Sequence, residues 1–190
     1  PPINAGSYAV VATIRDLNYQ GSASGTLVIG KAAQTITFTA PTSGSFNDPP
    51  ITLSATGGTS GNPVTFTVIS GSGTITGDTL TITGAGNIVI TARQVGSANY
   101  NAAPDFQQTI RIAKATGSVT LPPENLNYTY DGTAKSAAAT TTPAGLAVTF
   151  TYNDSATPPI NACSYTVVAT ISDLNYQGSA SGLLEIGKAT

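Results

Sequence analysis

The side chains able to do chemistry in this chain are few: Asp and Glu together number nine, cysteine occurs once and histidine is absent. Without an imidazole, a Ser-His-Asp triad lacks its base, and zinc has a single thiol to bind. Paired carboxylates remain able to run acid–base or glycoside chemistry. The acids are dispersed, however, and most fall at expected turns: Asp16, Asp48, Asp78, Asp131, Asp154 and Asp173. An Asp in a turn accepts hydrogen bonds from its own backbone, so these read as turn formers. No EF-hand spacing or dense carboxylate run is present; a calcium site built on Asp16 or Asp173 is the alternative. Cys163 has no internal disulfide partner and lacks the electropositive setting that makes a thiol reactive. The expectation is no enzyme, with no catalytic residue, metal ligand or cofactor.

Charge excludes further classes. Charged residues make up 8% of the chain, against roughly 25% in ordinary soluble proteins. The cations Arg15, Lys31, Arg93, Arg111, Lys114, Lys135 and Lys188 are scattered singly, and the net charge is −2. Such a chain has no basic field for nucleic acid or anionic lipid. No apolar run reaches the roughly 18 residues of a membrane span, so no membrane insertion is expected of this segment. The start on Pro1 suggests a piece of a longer or processed protein.

The elements that must carry these residues read as strands. Gly and Pro punctuate short runs rich in Val, Ile, Thr, Tyr and Phe. Tyr8, Val10, Ala12 and Ile14 alternate onto one face; Val148, Phe150 and Tyr152 do likewise, as do Leu80 and Ile82. Alternation of this kind fits a sheet with one buried and one wet face. Ala134–Thr142 is the best helical candidate, but its threonines and Pro143 favour an extended edge or loop. The fold class is all-β.

An internal repeat organises these strands. Residues 1–32 return at 158–189, differing only at Gly6/Cys163, Ala9/Thr166, Arg15/Ser172, Thr26/Leu183 and Val28/Glu185. Self-similarity this close marks a tandem array. A Lys-Ala step recurs at Lys31-Ala32, Lys114-Ala115 and Lys188-Ala189, each after a strand ending in Ile. These steps divide the chain into half a module (1–31), a complete module (32–114) and a second complete one (115–190). The connections are too short for flexible coil, so an elongated array with limited swing is expected. Leu17-Asn18-Tyr19, Leu174-Asn175-Tyr176 and Asn99-Tyr100-Asn101 follow strands in each part. We expect corners in which Leu and Tyr plug the open end of a sandwich, with carbohydrate stacking on an exposed Tyr as the alternative.

The motifs LNYTYDGTAKS, AGLAVTFTYN, INACSYTVVATISDLNYQGSASG and LEIGKA in residues 115–189 resemble the mostly bacterial glycine-rich (MBG) repeat of large secreted bacterial proteins. Residues 1–31 match its second half. QTITF, FNDPPITLSATGGTSGNPVTFTV, TLTITGAGNIVITARQVGSANYNAAP and IRIAK in residues 34–114 resemble the bacterial immunoglobulin-like repeat that alternates with it. The resemblance implies tandem immunoglobulin-like β-sandwich modules in a cell-surface or secreted protein. Surface modules of this kind sometimes carry Lys–Asn isopeptide cross-links, for which Lys135, Asp131 and Glu124 are the candidates; an ordinary exposed Lys135 is the other reading. Asn127-Tyr128-Thr129 and Asn153-Asp154-Ser155 match the N-glycosylation pattern, read as chance in a bacterial protein.

The expected function is a structural spacer, stalk or fibre segment of an extracellular bacterial surface protein or adhesin, its partners being neighbouring repeats. The half module leaves strand edges and an apolar face unpaired. Either a preceding segment completes it, or another copy does and the chain polymerises by strand complementation. The alternative is an adhesive module for glycan or protein. Against it, the loop Gly57-Gly58-Thr59-Ser60-Gly61-Asn62 offers no aromatic or Arg anchor.

Overall fold

A computed structural model describes residues 1–190 and is all-β, with one short 3-10 turn at Pro123–Asn125. The first strands are β1 (Gly6–Thr13) and β2 (Ser22–Ile29), followed by the short β3 (Thr37–Thr39), β4 (Ser43–Ser45), β5 (Ile51–Thr52) and β6 (Ser54–Thr56). Next come β7 (Val64–Ser70), β8 (Gly73–Thr76), β9 (Thr79–Ile82), β10 (Gly86–Gln94) and β11 (Phe106–Ala113). The remainder holds β12 (Ala115–Thr116), β13 (Ser118–Thr120), β14 (Asn127–Thr129), β15 (Thr140–Thr142) and β16 (Val148–Tyr152). The last strands are β17 (Ser164–Ile171), β18 (Tyr176–Gln177) and β19 (Ser179–Gly187). By its contacts the chain forms two compact units, Pro1–Thr42 with Pro50–Thr81 and Ile88–Ile110, and Ser43–Pro49 with Ile82–Asn87 and Arg111–Thr190.

In the first unit, β1 and β2 form an isolated two-stranded hairpin. Beyond it, β3 pairs with β6, and β9 lies between β5 and β8. The antiparallel pair β7–β10 carries a bulge between Val89 and Ile90. Alternation drives its core. Ile88, Ile90 and Ala92 of β10 point inward with Leu80 and Ile110, all fully buried. Phe38 is buried too and packs on Phe66 (ring centroids 5.1 Å apart, tilted) and edge-on to Phe106 (6.2 Å).

The second unit contains a β-sandwich. Its larger sheet runs β14-β19-β17-β16, mixed because β14 lies parallel to β19. The pair β13–β15 covers the inner face. Val167 and Leu184 are fully buried there with Ile186, Tyr152 and Leu126, and Tyr128 and Phe150 close the rim. Each fully buried aliphatic side chain here contributes about 1.5–3 kcal/mol by leaving water. Gly182 lets the facing layer approach: a Cβ there would stand 3.2 Å from both Leu121 Cδ1 and Leu126 Cδ1. Ala134–Thr142 holds no helix, and only Thr140–Thr142 lies in a strand. Its hydrogen bonds go to other segments, such as the Lys135 N–H to the Pro159 carbonyl.

Candidate interaction surfaces

The repeated sequence forms one hairpin twice, in two environments. In β1–β2, Tyr8 faces Leu27, Val10 faces Gly25 and Ala12 faces Ala23. In β17–β19 the register is the same: Tyr165 with Leu184, Val167 with Gly182, Ala169 with Ala180. The tyrosines repeat as well, Tyr8 donating to the Asn4 carbonyl and Tyr165 to the Asn161 carbonyl. Burial differs sharply. Val167, Leu184 and Ile171 are 0, 0 and 6% exposed, whereas Val10, Leu27 and Ile14 are 46, 43 and 54% exposed. A Cβ on Gly25 would meet nothing within 4 Å. The hairpin therefore presents an uncovered apolar face, along which Val10, Ala12, Ile14, Ala23 and Leu27 line two shallow grooves.

The three corners correct one expectation. Leu174 is 85% exposed and Leu17 fully so, and neither plugs the end of a sandwich. The ring of Tyr176 instead stacks edge-on against Phe46 (5.5 Å), and its hydroxyl accepts a hydrogen bond from Asn47 Nδ2 at 2.9 Å. Asn175 Oδ1 accepts the Ala85 N–H at 2.9 Å. Lys114 Nζ donates to the Asp173 carbonyl, and the Ala115 N–H donates to the Asn175 carbonyl. In the first unit, Asn99 Oδ1 accepts the Ala5 N–H at 2.8 Å, and Asn99 Nδ2 donates to Asn4. Lys31 Nζ reaches the Ser97 carbonyl, and the Ala32 N–H the Asn99 carbonyl. The Asn99 and Asn175 corners grip neighbouring backbone. Sequence signals for this were present in the recurring Lys-Ala and Asn-Tyr steps, but which groups they bond was not legible.

The acids are local. Asp16 Oδ1 accepts the N–H groups of Asn18 and Tyr19, and Asp173 Oδ1 those of Asn175 and Tyr176. Asp48 Oδ2 instead accepts the N–H of Ser45, three residues before it. No group of three or more His, Cys, Asp or Glu side chains comes together. Asp131 takes hydrogen bonds from Lys135 Nζ and from the Thr133 hydroxyl and N–H, which hold its carboxyl well below the usual carboxylate range. Lys135 is not the exposed lysine expected. Its side chain is 11% exposed and its ammonium lies 5.8 Å from the Tyr128 ring centre. Its polar partners are Asp131 and Thr133, with no Asn among them. Cys163 is an exposed free thiol beside Glu185 and Lys188.

Two buried glutamines that the sequence did not single out shape the polar loop. Gln94 Oε1 accepts the Gly58 N–H at 2.7 Å, while Nε2 donates to the Asn62 carbonyl at 2.7 Å. Gln34 accepts from the Ser60 N–H and donates to the Val95 carbonyl. Gly57 and Gly58 lie directly on these side chains: a Cβ on Gly57 would meet the Gln94 amide nitrogen, and one on Gly58 would stand 2.5 Å from Gln34 Cβ and 3.0 Å from its amide oxygen. The loop is thus bound to the body of the fold.

Against known proteins, the model of the MBG domain matches residues 1–33 and 117–190. No curated protein matches the chain. Among solved structures, the chain is similar to the Drosophila N-cadherin EC1-4 segment at 12% identity, over 100% of this chain and 59% of that one, with a TM-score of 0.32. It is also similar to an endo-fucoidan hydrolase of glycoside hydrolase family 107, at 17% identity over 98% of this chain and 34% of that one, with a TM-score of 0.32. Both overlaps are too slight to bear on function. With more than half of its residues matched, in the first hairpin and again in the terminal sandwich, the chain belongs to the MBG domain family.

Proposed function

We propose that the chain is a structural spacer segment of an extracellular bacterial surface protein, in which MBG modules alternate with immunoglobulin-like ones at the Lys-Ala steps. The observation that carries this reading is the hairpin formed twice in one register, with a neighbouring segment held at Lys31-Ala32 and at Lys114-Ala115 by the same kind of polar contacts. Repetition of identical parts gives reach, each part being stabilised by itself and by its neighbours. Family membership supports the surface setting, and the tethered Gly57–Asn62 loop supports a passive role over an adhesive one. In this reading the apolar face of β1–β2 is covered by a segment with the pattern of residues 117–157, as in the terminal sandwich.

A second reading is favoured by the exposed Val10, Ile14 and Leu27: a segment from another copy covers the face, and copies polymerise. Light scattering over a range of concentrations separates the two. A mass constant at that of one chain sinks the polymer and leaves completion within one polypeptide. A glycan array bound specifically by this chain would replace the spacer with an adhesive module.

A further inference from the structure

Resting on the spacer reading, we propose that the Asp-Leu-Asn-Tyr corner is a docking site for the preceding module, and that Leu17-Asn18-Tyr19 is that site unfilled. Its occupant is a module of the type formed by residues 32–114. The filled site is the corner at Asn175. At Asn175 the occupant supplies three groups: the Ala85 N–H to the Asn175 amide oxygen, the Phe46 ring to Tyr176, and Asn47 Nδ2 to the Tyr176 hydroxyl. The connecting Lys114 closes the contact on the Asp173 carbonyl, and Ala115–Thr116 pairs parallel to Tyr176–Gln177.

Asp173 sets the geometry of this corner. Its carboxylate accepts the Asn175 and Tyr176 N–H groups, fixing the turn so that the Asn175 amide projects from it. Asp16 makes the same two bonds to Asn18 and Tyr19 at 2.7 and 3.1 Å. The unfilled corner is therefore already formed, with Leu17 fully exposed and Tyr19 mostly so. A shaped corner with an aromatic ring and an unoccupied amide loses little freedom on binding, because its backbone is ordered beforehand. The Asn99 corner shows that the device is general. There the amide oxygen takes the Ala5 N–H, and Lys31 supplies the contact that Lys114 supplies at Asn175. In both filled cases an Asn side chain accepts one backbone N–H of the preceding segment, and the connecting Lys bonds a carbonyl two residues or so before that Asn. A second copy of this chain is a poor occupant in trans, because its own Phe46, Asn47 and Ala85 already bind Tyr176 and Asn175.

The test uses a chain in which a copy of residues 32–157 is placed ahead of Pro1, with amide hydrogen exchange read residue by residue. The added copy's Ala85 amide should exchange as slowly as the original one, and Asn18→Ala should speed that amide alone by about tenfold or more. In the unextended chain, Asn175→Ala should do the same to Ala85 while leaving Val167 and Leu184 protected. The inference is overturned if the added Ala85 exchanges freely while the added Ile88 and Ile90 amides are protected. It is overturned equally if Asn175→Ala leaves Ala85 unchanged. Failure of the spacer reading looks different: Val10 and Leu27 then stay exposed in the extended chain, whatever Ala85 does.

Discussion

Leu27 and Leu184 occupy the same place in the same hairpin, opposite Tyr8 and Tyr165, so truncating each to Ala isolates the effect of burial from that of sequence. Leu184 is fully buried among Leu126, Val167 and Tyr152. Its removal loses transfer free energy and leaves a cavity, about 2.7–5 kcal/mol in comparable core sites. Leu27 is 43% exposed, and no second layer stands over it to leave a cavity. At about 25 cal/mol per Å² of apolar area, its truncation costs about 1 kcal/mol or less. For a module of this size each kcal/mol shifts Tm by about 4–8 °C, so Leu184→Ala should lower the melting of the terminal sandwich by about 10 °C or more. Leu27→Ala should leave that transition in place. Thermal unfolding followed by calorimetry, with hydrogen exchange assigning each transition to its strands, makes the comparison. Equal losses from the two substitutions would refute the view that the facing layer, and not the hairpin itself, supplies the stability.

Further outcomes follow from other sites. Asp131 is held ionised by Lys135 and Thr133, so the stability it adds is complete above the ordinary Asp value near 3.9 and declines as pH falls through its depressed value. Its carboxyl carbon should show no titration step between about pH 3 and 5 by NMR, and a step there would remove the ion pair from the account. A Cβ on Gly178 would stand 2.1 Å from the Gly117 carbonyl, whereas one on Gly21 would meet only the end of Ile14 at 3.2 Å. Gly178→Ala should therefore strip exchange protection from Gly117 and Ala115, and Gly21→Ala should be tolerated. Gln94→Ala leaves the Gly58 N–H and Asn62 carbonyl without their partner and should cost about 1–3 kcal/mol, with faster exchange at Gly58. Unchanged stability and exchange would mean that water replaces the amide without loss.

The strands were legible because period-two alternation reports a sheet with one apolar face. Val148, Phe150 and Tyr152, or Leu80 and Ile82, fall on the faces that their spacing assigns. The repeat marked the array, and the structure gives its two copies one register. Pairing between distant segments was not legible. The parallel contact of β14 with β19 and the clasp of Gln94 on the Gly57–Asn62 loop depend on closing long loops, about which local pattern says nothing. The corners illustrate the boundary. Their Asp, Asn and Tyr were visible as turn residues, yet the same letters that suggested a plugged sandwich end instead reach out to Phe46, Asn47 and Ala85. Lys135 likewise gave no sign in sequence that Tyr128 would cover it.

In the proposed spacer, the apolar face of β1–β2 is the inner face of a module whose other layer has the pattern of residues 117–157. The direct measurement places a copy of residues 115–157 ahead of Pro1 and reads the solvent paramagnetic relaxation of the Val10 and Leu27 methyl groups. Both should fall to the values of Val167 and Leu184, with Gly25 now in contact as Gly182 is. Methyl groups of Val10 and Leu27 that keep their exposed values beside a soluble added segment would contradict it.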